Sequence, residues 1–170
     1  LFADPTSDTY FNSDMAVVGL KHFIRLGEKS FFNTVLGTTY AASGFYRDTV
    51  SQQSETVNRV VENVTSRINY TLNTSFNSKI NSKLFVKIGA IAEVMNLNLF
   101  YQSREFTPSW NKIWDFNDFT ELFQAYAHAK YNFNDKLVLN AGLHSQLLTL
   151  NNSTSLEPRI GLKYQVGNKS

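Results

Sequence analysis

The chain contains no cysteine. That single absence removes disulfide scaffolds, thiol catalysis and zinc–thiolate sites together. Long apolar runs are missing too. No stretch approaches the ~18 consecutive apolar residues of a transmembrane helix, so a helical membrane protein is excluded. Proline is scarce, with 3 residues, and 8 glycines are too few for a low-complexity or disordered chain. The formal net charge of +2 is too small to imply a nucleic-acid partner. Leu1 opens neither a basic n-region nor an apolar h-region, so no signal peptide is expected here. Either a leader was removed or the chain does not begin where its gene begins. There is no Gly-x-Ser-x-Gly, no phosphate loop and no His-Glu-x-x-His. Glu93 has no visible acidic partner for acid–base work. No catalytic residue and no cofactor are assigned, and an enzyme is not expected.

What the sequence does have is alternation, with aromatics at 14%. Residues 64–76 read V-T-S-R-I-N-Y-T-L-N-T-S-F. In a strand, successive side chains point to opposite faces. Val64, Ile68, Tyr70, Leu72 and Phe76 then share one face, and Arg67, Asn69, Thr71, Asn73 and Ser75 share the other. Similar patterns predict seven strands, at about Met15–Leu26, Ser30–Tyr46, Val60–Asn77, Lys83–Gln102, Phe119–Phe133, Lys136–Leu150 and Arg159–Val166. Polar positions on these strands include Lys87 and Glu93 in the fourth and Gln124, His128 and Lys130 in the fifth. Asn140 and His144 follow in the sixth, and Arg159 and Lys163 in the seventh. The apolar set of the fourth strand slips one residue out of step at Met95–Asn98, as a β-bulge would produce.

Short turns are expected at Gly27–Lys29, Ser78–Ser82, Asn134–Asp135 and Gly167–Lys169. Longer connections are expected at Leu1–Asp14, Arg47–Arg59, Ser103–Asp118 and Asn151–Pro158. Short and long alternate strictly, which puts all the long loops at one end of an up-and-down sheet. Outer-membrane barrels have that asymmetry. Several segments exceed the ~9–11 residues that a tilted strand needs to cross a bilayer, whereas strands of soluble domains are usually ~5–6. The expected fold is therefore all-β, a transmembrane antiparallel up-and-down β-barrel segment with its apolar face toward lipid. Arg67, Asn69, Asn73, Lys87, Glu93, Gln124, His128, Lys130, Asn140, His144, Arg159 and Lys163 are then lumen-facing. Two alternatives stay open: a complete small barrel acting as anchor or adhesin, and a soluble β-barrel holding a lipid.

Two further features carry expectations. Trp110, Trp114 and Phe116, with Asp115, fall in the expected extracellular loop and are candidate ligand contacts, since aromatics stack on sugars or fill apolar pockets. Pro158 lacks an N–H and suits the first residue of a strand. Gly142 and Gly161 are expected to relieve crowding or to permit close backbone approach in the wall.

The stretch from Gln124 to His144, Q-A-Y-A-H-A-K-Y-N-F-N-D-K-L-V-L-N-A-G-L-H, is a strand, a tight turn and a strand. It is followed from Leu150 to Tyr164 by L-N-N-S-T-S-L-E-P-R-I-G-L-K-Y. Together these resemble the late barrel strands of TonB-dependent outer-membrane receptors, particularly those of the Bacteroidetes. The resemblance covers about Glu121 to Gln165, is generic from Asn63 to Gln102, and is weak before Asn63. It implies a bacterial outer-membrane barrel of about 22 strands that imports a scarce nutrient such as a siderophore, cobalamin, peptide or glycan. The chain, residues 1–170, would form about a third of the wall. No plug domain and no TonB box are read in it. Implied partners are outer-membrane lipid, the rest of the barrel and its plug, TonB through the missing N-terminal part, and a surface lipoprotein.

Overall fold

In the computed structural model, residues 6–50 and 56–167 are described. They form β1 (Ser7–Leu26), β2 (Ser30–Val50), β3 (Val57–Lys79), β4 (Leu84–Ser103), β5 (Asn111–Asn132), β6 (Leu137–Leu148) and β7 (Ser153–Tyr164). All seven belong to one antiparallel sheet in the order β1-β2-β3-β4-β5-β6-β7, an up-and-down meander with no helix among the described residues. The β5–β6 register sets Tyr126 opposite His144 and Lys130 opposite Asn140. The β6–β7 register sets His144 opposite Glu157 and Asn140 opposite Gly161.

Asparagines close the turns. Asn81 and Asn134 each begin the tetrapeptide N-x-K-L. Asn81 Oδ1 accepts from the Lys83 and Leu84 amides at 2.8 and 2.9 Å. Asn134 Oδ1 accepts from the Lys136 and Leu137 amides, both at 2.9 Å. Such side-chain-to-backbone bonds mimic a backbone turn, which is why Asn is favoured there. In the β6–β7 turn Asn151 Oδ1 accepts from Ser153 N, and Asn152 takes a φ of 54°, a left-handed conformation that asparagine tolerates.

Several expected loops are strand. β1 starts at Ser7, so residues 7–14 are not a loop tail; residues 1–5 lie outside the described region. β5 starts at Asn111, which shrinks the connection expected at Ser103–Asp118 to residues 104–110. β7 starts at Ser153, so the connection expected at Asn151–Pro158 is the tight turn 149–152. The loop expected at Arg47–Arg59 loses both ends to β2 and β3, and residues 51–55 lie outside the described region, as do residues 168 and 169 of the last expected turn. Strict alternation of long and short connections therefore does not hold.

Pro158 is not a strand entry. It sits inside β7 opposite Leu143. Gln165 N donates to Lys136 O at 2.9 Å, which makes the odd-numbered residues of β7 the ones that exchange hydrogen bonds with β6. The nitrogen of Pro158 then points to the open side of β7, where a missing donor breaks no bond in the described sheet.

The chain divides into two compact units. Unit one holds residues 1–18, 38–69 and 95–119; unit two holds residues 19–37, 70–94 and 120–170. Unit two contains β6, β7 and the turn-side portions of β1 to β5; unit one contains the remaining portions of those five strands.

Unit two carries an inverted distribution of polarity. Its large exposed hydrophobics include Tyr70 at 53%, Leu72 at 42%, Ile88 at 52%, Phe123 at 45% and Ile160 at 84%. The alternate positions are covered although polar: Ser75 is 5% exposed and Asn77 6%. Among the described residues of the whole chain, the one buried hydrophobic is Val61. No apolar core of the kind that holds a soluble domain together is present in them.

Candidate functional site

The polar faces of β5, β6 and β7 bring several expected lumen residues together. His144 Nε2 lies 3.0 Å from Gln124 Oε1, and its Nδ1 lies 3.6 Å from Glu157 Oε2. Arg159 donates to the same Glu157 oxygen at 2.6 Å, and the Ser155 hydroxyl donates to the other at 3.4 Å. Tyr126, opposite His144, carries the Lys87 ammonium over its ring at 5.3 Å. Gly89 explains how the tyrosine fits. A Cβ there would stand 2.5 Å from the Tyr126 ring carbon and hydroxyl and 2.7 Å from Thr74 O, so only a bare backbone accepts the ring. Of the two glycines singled out by sequence, Gly142 is tight, with Ala127 O at 3.2 Å from a would-be Cβ. Gly161 faces open space, and the expectation of close approach fails there.

Lys130, Asn140 and Lys163 line a groove of about 210 Å³ with Asp135, Lys136, Val138 and Gln165. His128 sits opposite Gly142 and is half-buried. Asn73 and Glu93 are half-buried in unit two, and Glu93 forms no ion pair among the described residues. Arg67 and Asn69 belong to unit one; Arg67 is exposed, and Asn69 Oδ1 is buried without a hydrogen-bond partner. Sequence reasoning missed Tyr126, Glu157, Ser155 and Gly89 as members of the cluster. Their signal was parity: Tyr126 shares the phase of Gln124 and His128, and Glu157 that of Arg159.

The aromatic candidates are placed differently from expectation. Trp114, Asp115 and Phe116 are on β5, and of the four only Trp110 is in the connection. Each is engaged singly or not at all. Trp110 lies under the Arg104 guanidinium at 4.8 Å, and Trp114 meets Tyr101 edge-on at 5.5 Å. Asp115 accepts from Lys112 at 2.6 Å, while Phe116 is 37% exposed. Asp115 alternates with Trp114 and Phe116 along the strand, so the four do not converge.

Around them, unit one is tied by polar contacts. Arg59 donates to the buried Asp48 at 3.0 Å and lies over the Tyr46 ring at 4.4 Å. The hydrogen bond to Asp48 raises the Arg59 pKa above its ordinary value, so its charge persists at any working pH. Gln102 donates to Glu62 at 2.8 Å, Arg104 donates to Arg59 O at 2.7 Å, and Arg47 pairs with Glu105. These contacts, with Val61 the one buried hydrophobic among the described residues, tie the strand ends of β2, β3 and β4.

Among the described residues no group of three or more His, Asp or Glu side chains could hold a metal ion. No protein-family model matches the chain, and no curated protein matches it.

Proposed function

We propose that the chain is a wall segment of a transmembrane β-barrel in a bacterial outer membrane, of the TonB-dependent receptor type, and serves nutrient import. The observation that carries the membrane part is the inverted polarity of unit two. Burying a Leu, Ile or Phe side chain gains ~1.5–3 kcal/mol over leaving it in water. Tyr70, Leu72, Ile88, Phe123, Leu143 and Ile160, between 42% and 84% exposed, forgo a large share of that in water and regain it in hydrocarbon. The strand portions of unit two, such as 70–79 of β3 and 84–94 of β4, match the ~9–11 residues that span a bilayer. Open sheet edges are not tolerated in lipid, so β1 and β7 pair onward with further strands. The receptor part is supported by the likeness of residues 121–165 to late strands of that family.

In this reading the apolar face meets lipid and the polar face lines the lumen. Lumen residues such as Gln124, His144, Glu157 and Arg159 hold a plug through hydrogen bonds. The connections near unit one capture substrate, and movement of the plug opens a path bounded by polar side chains. The substrate class is a scarce nutrient such as a siderophore, cobalamin, peptide or glycan.

One immunoblot separates the readings. An antibody against the connection 104–110 is used on fractionated cells that make the protein. The receptor reading expects a band in the outer-membrane fraction about three times heavier than this chain or more. A band near 19.4 kDa in that fraction favours a small complete barrel, and a soluble band contradicts both.

A further inference from the structure

Unit two is rich in basic side chains, whereas acidic ones outnumber basic ones in unit one. Six of the lysines lie at or beside the hairpin turns, against Glu28 and Asp135 there. Each turn of the β1–β2, β3–β4 and β5–β6 hairpins presents one lysine, Lys29, Lys83 and Lys136, and all three are exposed. Nearby on the strands, Lys79, Lys130 and Lys163 are exposed as well, and none of the six forms an ion pair among the described residues. Lys130, Lys136 and Lys163 converge on the groove of about 210 Å³, where Asp135 is the sole carboxylate of the lining. A second groove of about 350 Å³ adds Lys79 and Lys83 and shares Lys130.

The face on which the first groove opens decides what fills it. Lys130 is paired with Asn140, and Asn140 with Gly161; Val138 is paired with Asn132 and with Lys163. Directly opposed residues share a face, so Lys130 and Lys163 stand on the polar face, opposite in sense to Leu139 and Leu162. The groove therefore opens away from the side proposed to meet lipid, and a phospholipid headgroup tethered to acyl chains does not reach it.

We infer that this lysine groove is a docking site for an acidic polypeptide segment lying on the polar face at the turn end of β5, β6 and β7. Three ammonium groups around one carboxylate leave a positive field in a concave, partly desolvated site, where charge complementarity selects a partner. The inference rests on the membrane reading in one respect, that the polar face is turned from lipid.

The test uses the protein as extracted from outer membranes in zwitterionic detergent, with fluorescein-labelled hexaglutamate as probe and anisotropy as readout. Expected is saturable binding that weakens with salt and is stronger than that of hexalysine. In the double variant Lys130→Gln/Lys163→Gln, affinity falls about tenfold. The double variant Lys21→Gln/Arg25→Gln, with the same change in net charge on β1, stays within about twofold. Should the first variant not fold, Lys136→Gln in the turn replaces it. Equal losses in the two double variants, or equal binding of hexalysine, overturn the inference. So does a groove variant that loses binding to phosphatidylglycerol vesicles while keeping hexaglutamate, which assigns the lysines to lipid. A protein absent from the outer-membrane fraction contradicts the membrane reading and this inference with it; an extracted protein that ignores hexaglutamate overturns this inference alone.

Discussion

Neighbouring residues on one strand carry opposite burdens. Leu72 is exposed and Asn73 half-buried, one position apart on β3. Leu72→Arg places a charge on the proposed lipid face, where the cost is ~2–4 kcal/mol at mid-membrane and less toward the interface. Asn73→Arg adds the same charge to the polar side and is expected to be much milder. Urea titration of chains folded into liposomes measures both, and equal losses mean the faces are assigned wrongly. Glycines make a second contrast. Gly89→Ala forces its Cβ against Tyr126 and against the Thr74 carbonyl, and backbone does not yield as a side-chain tip does. Overpacking of that kind costs ~1–3 kcal/mol. Gly161→Ala meets nothing within 4 Å and should lie within about ±0.5 kcal/mol. The same titration read by tyrosine fluorescence checks the pair. A large effect at Gly161 with none at Gly89 contradicts the packing described.

At the scale of elements, the β3–β4, β5–β6 and β6–β7 turns are set by asparagines. Asn152→Val in the β6–β7 turn places a β-branched residue at a φ of 54° and is expected to cost ~1–2 kcal/mol, whereas Asn152→Gly should be near neutral. Equal urea midpoints for the two variants contradict that account. All seven strands were legible in the sequence, because each has a stretch where apolar and polar residues alternate. Their ends were not. Residues 7–14 of β1, S-D-T-Y-F-N-S-D, and residues 111–118 of β5, N-K-I-W-D-F-N-D, show no period of two. Alternation is imposed only where the two faces meet different media. Where both faces are wet, the backbone ladder continues with any strand-compatible residues, and the sequence reads as loop. The start of β7 does alternate, Thr154, Leu156 and Pro158 against Ser155 and Glu157; it was missed because Pro158 was read as the strand's first residue and the polar run before it as a loop. The candidate site was half legible. Phase predicted that Gln124, His128 and His144 share a side, but Glu157 was hidden by the misplaced start of β7. Trp114, Asp115 and Phe116 were read as loop for want of alternation around them.

At the scale of the molecule, the sheet lacks what normally stabilises a water-soluble β-protein. Its exposed positions hold Phe, Tyr, Leu and Ile, and its covered ones hold Ser, Asn, Thr and Asp. That inversion is the central observation. It goes with the lack of an apolar core among the described residues and with the long strands. The absence of cysteine makes a direct test practical, since any introduced thiol is the sole one in the chain. Spin labels attached at single cysteines from 68 to 76 are compared in lipid bilayers for collision with oxygen, which partitions into hydrocarbon, and with a water-soluble nickel chelate. The account predicts a period of two, with oxygen favoured at 68, 70 and 72 and nickel at 69, 71 and 73. A reversed period, or nickel access without alternation at every position, would contradict it.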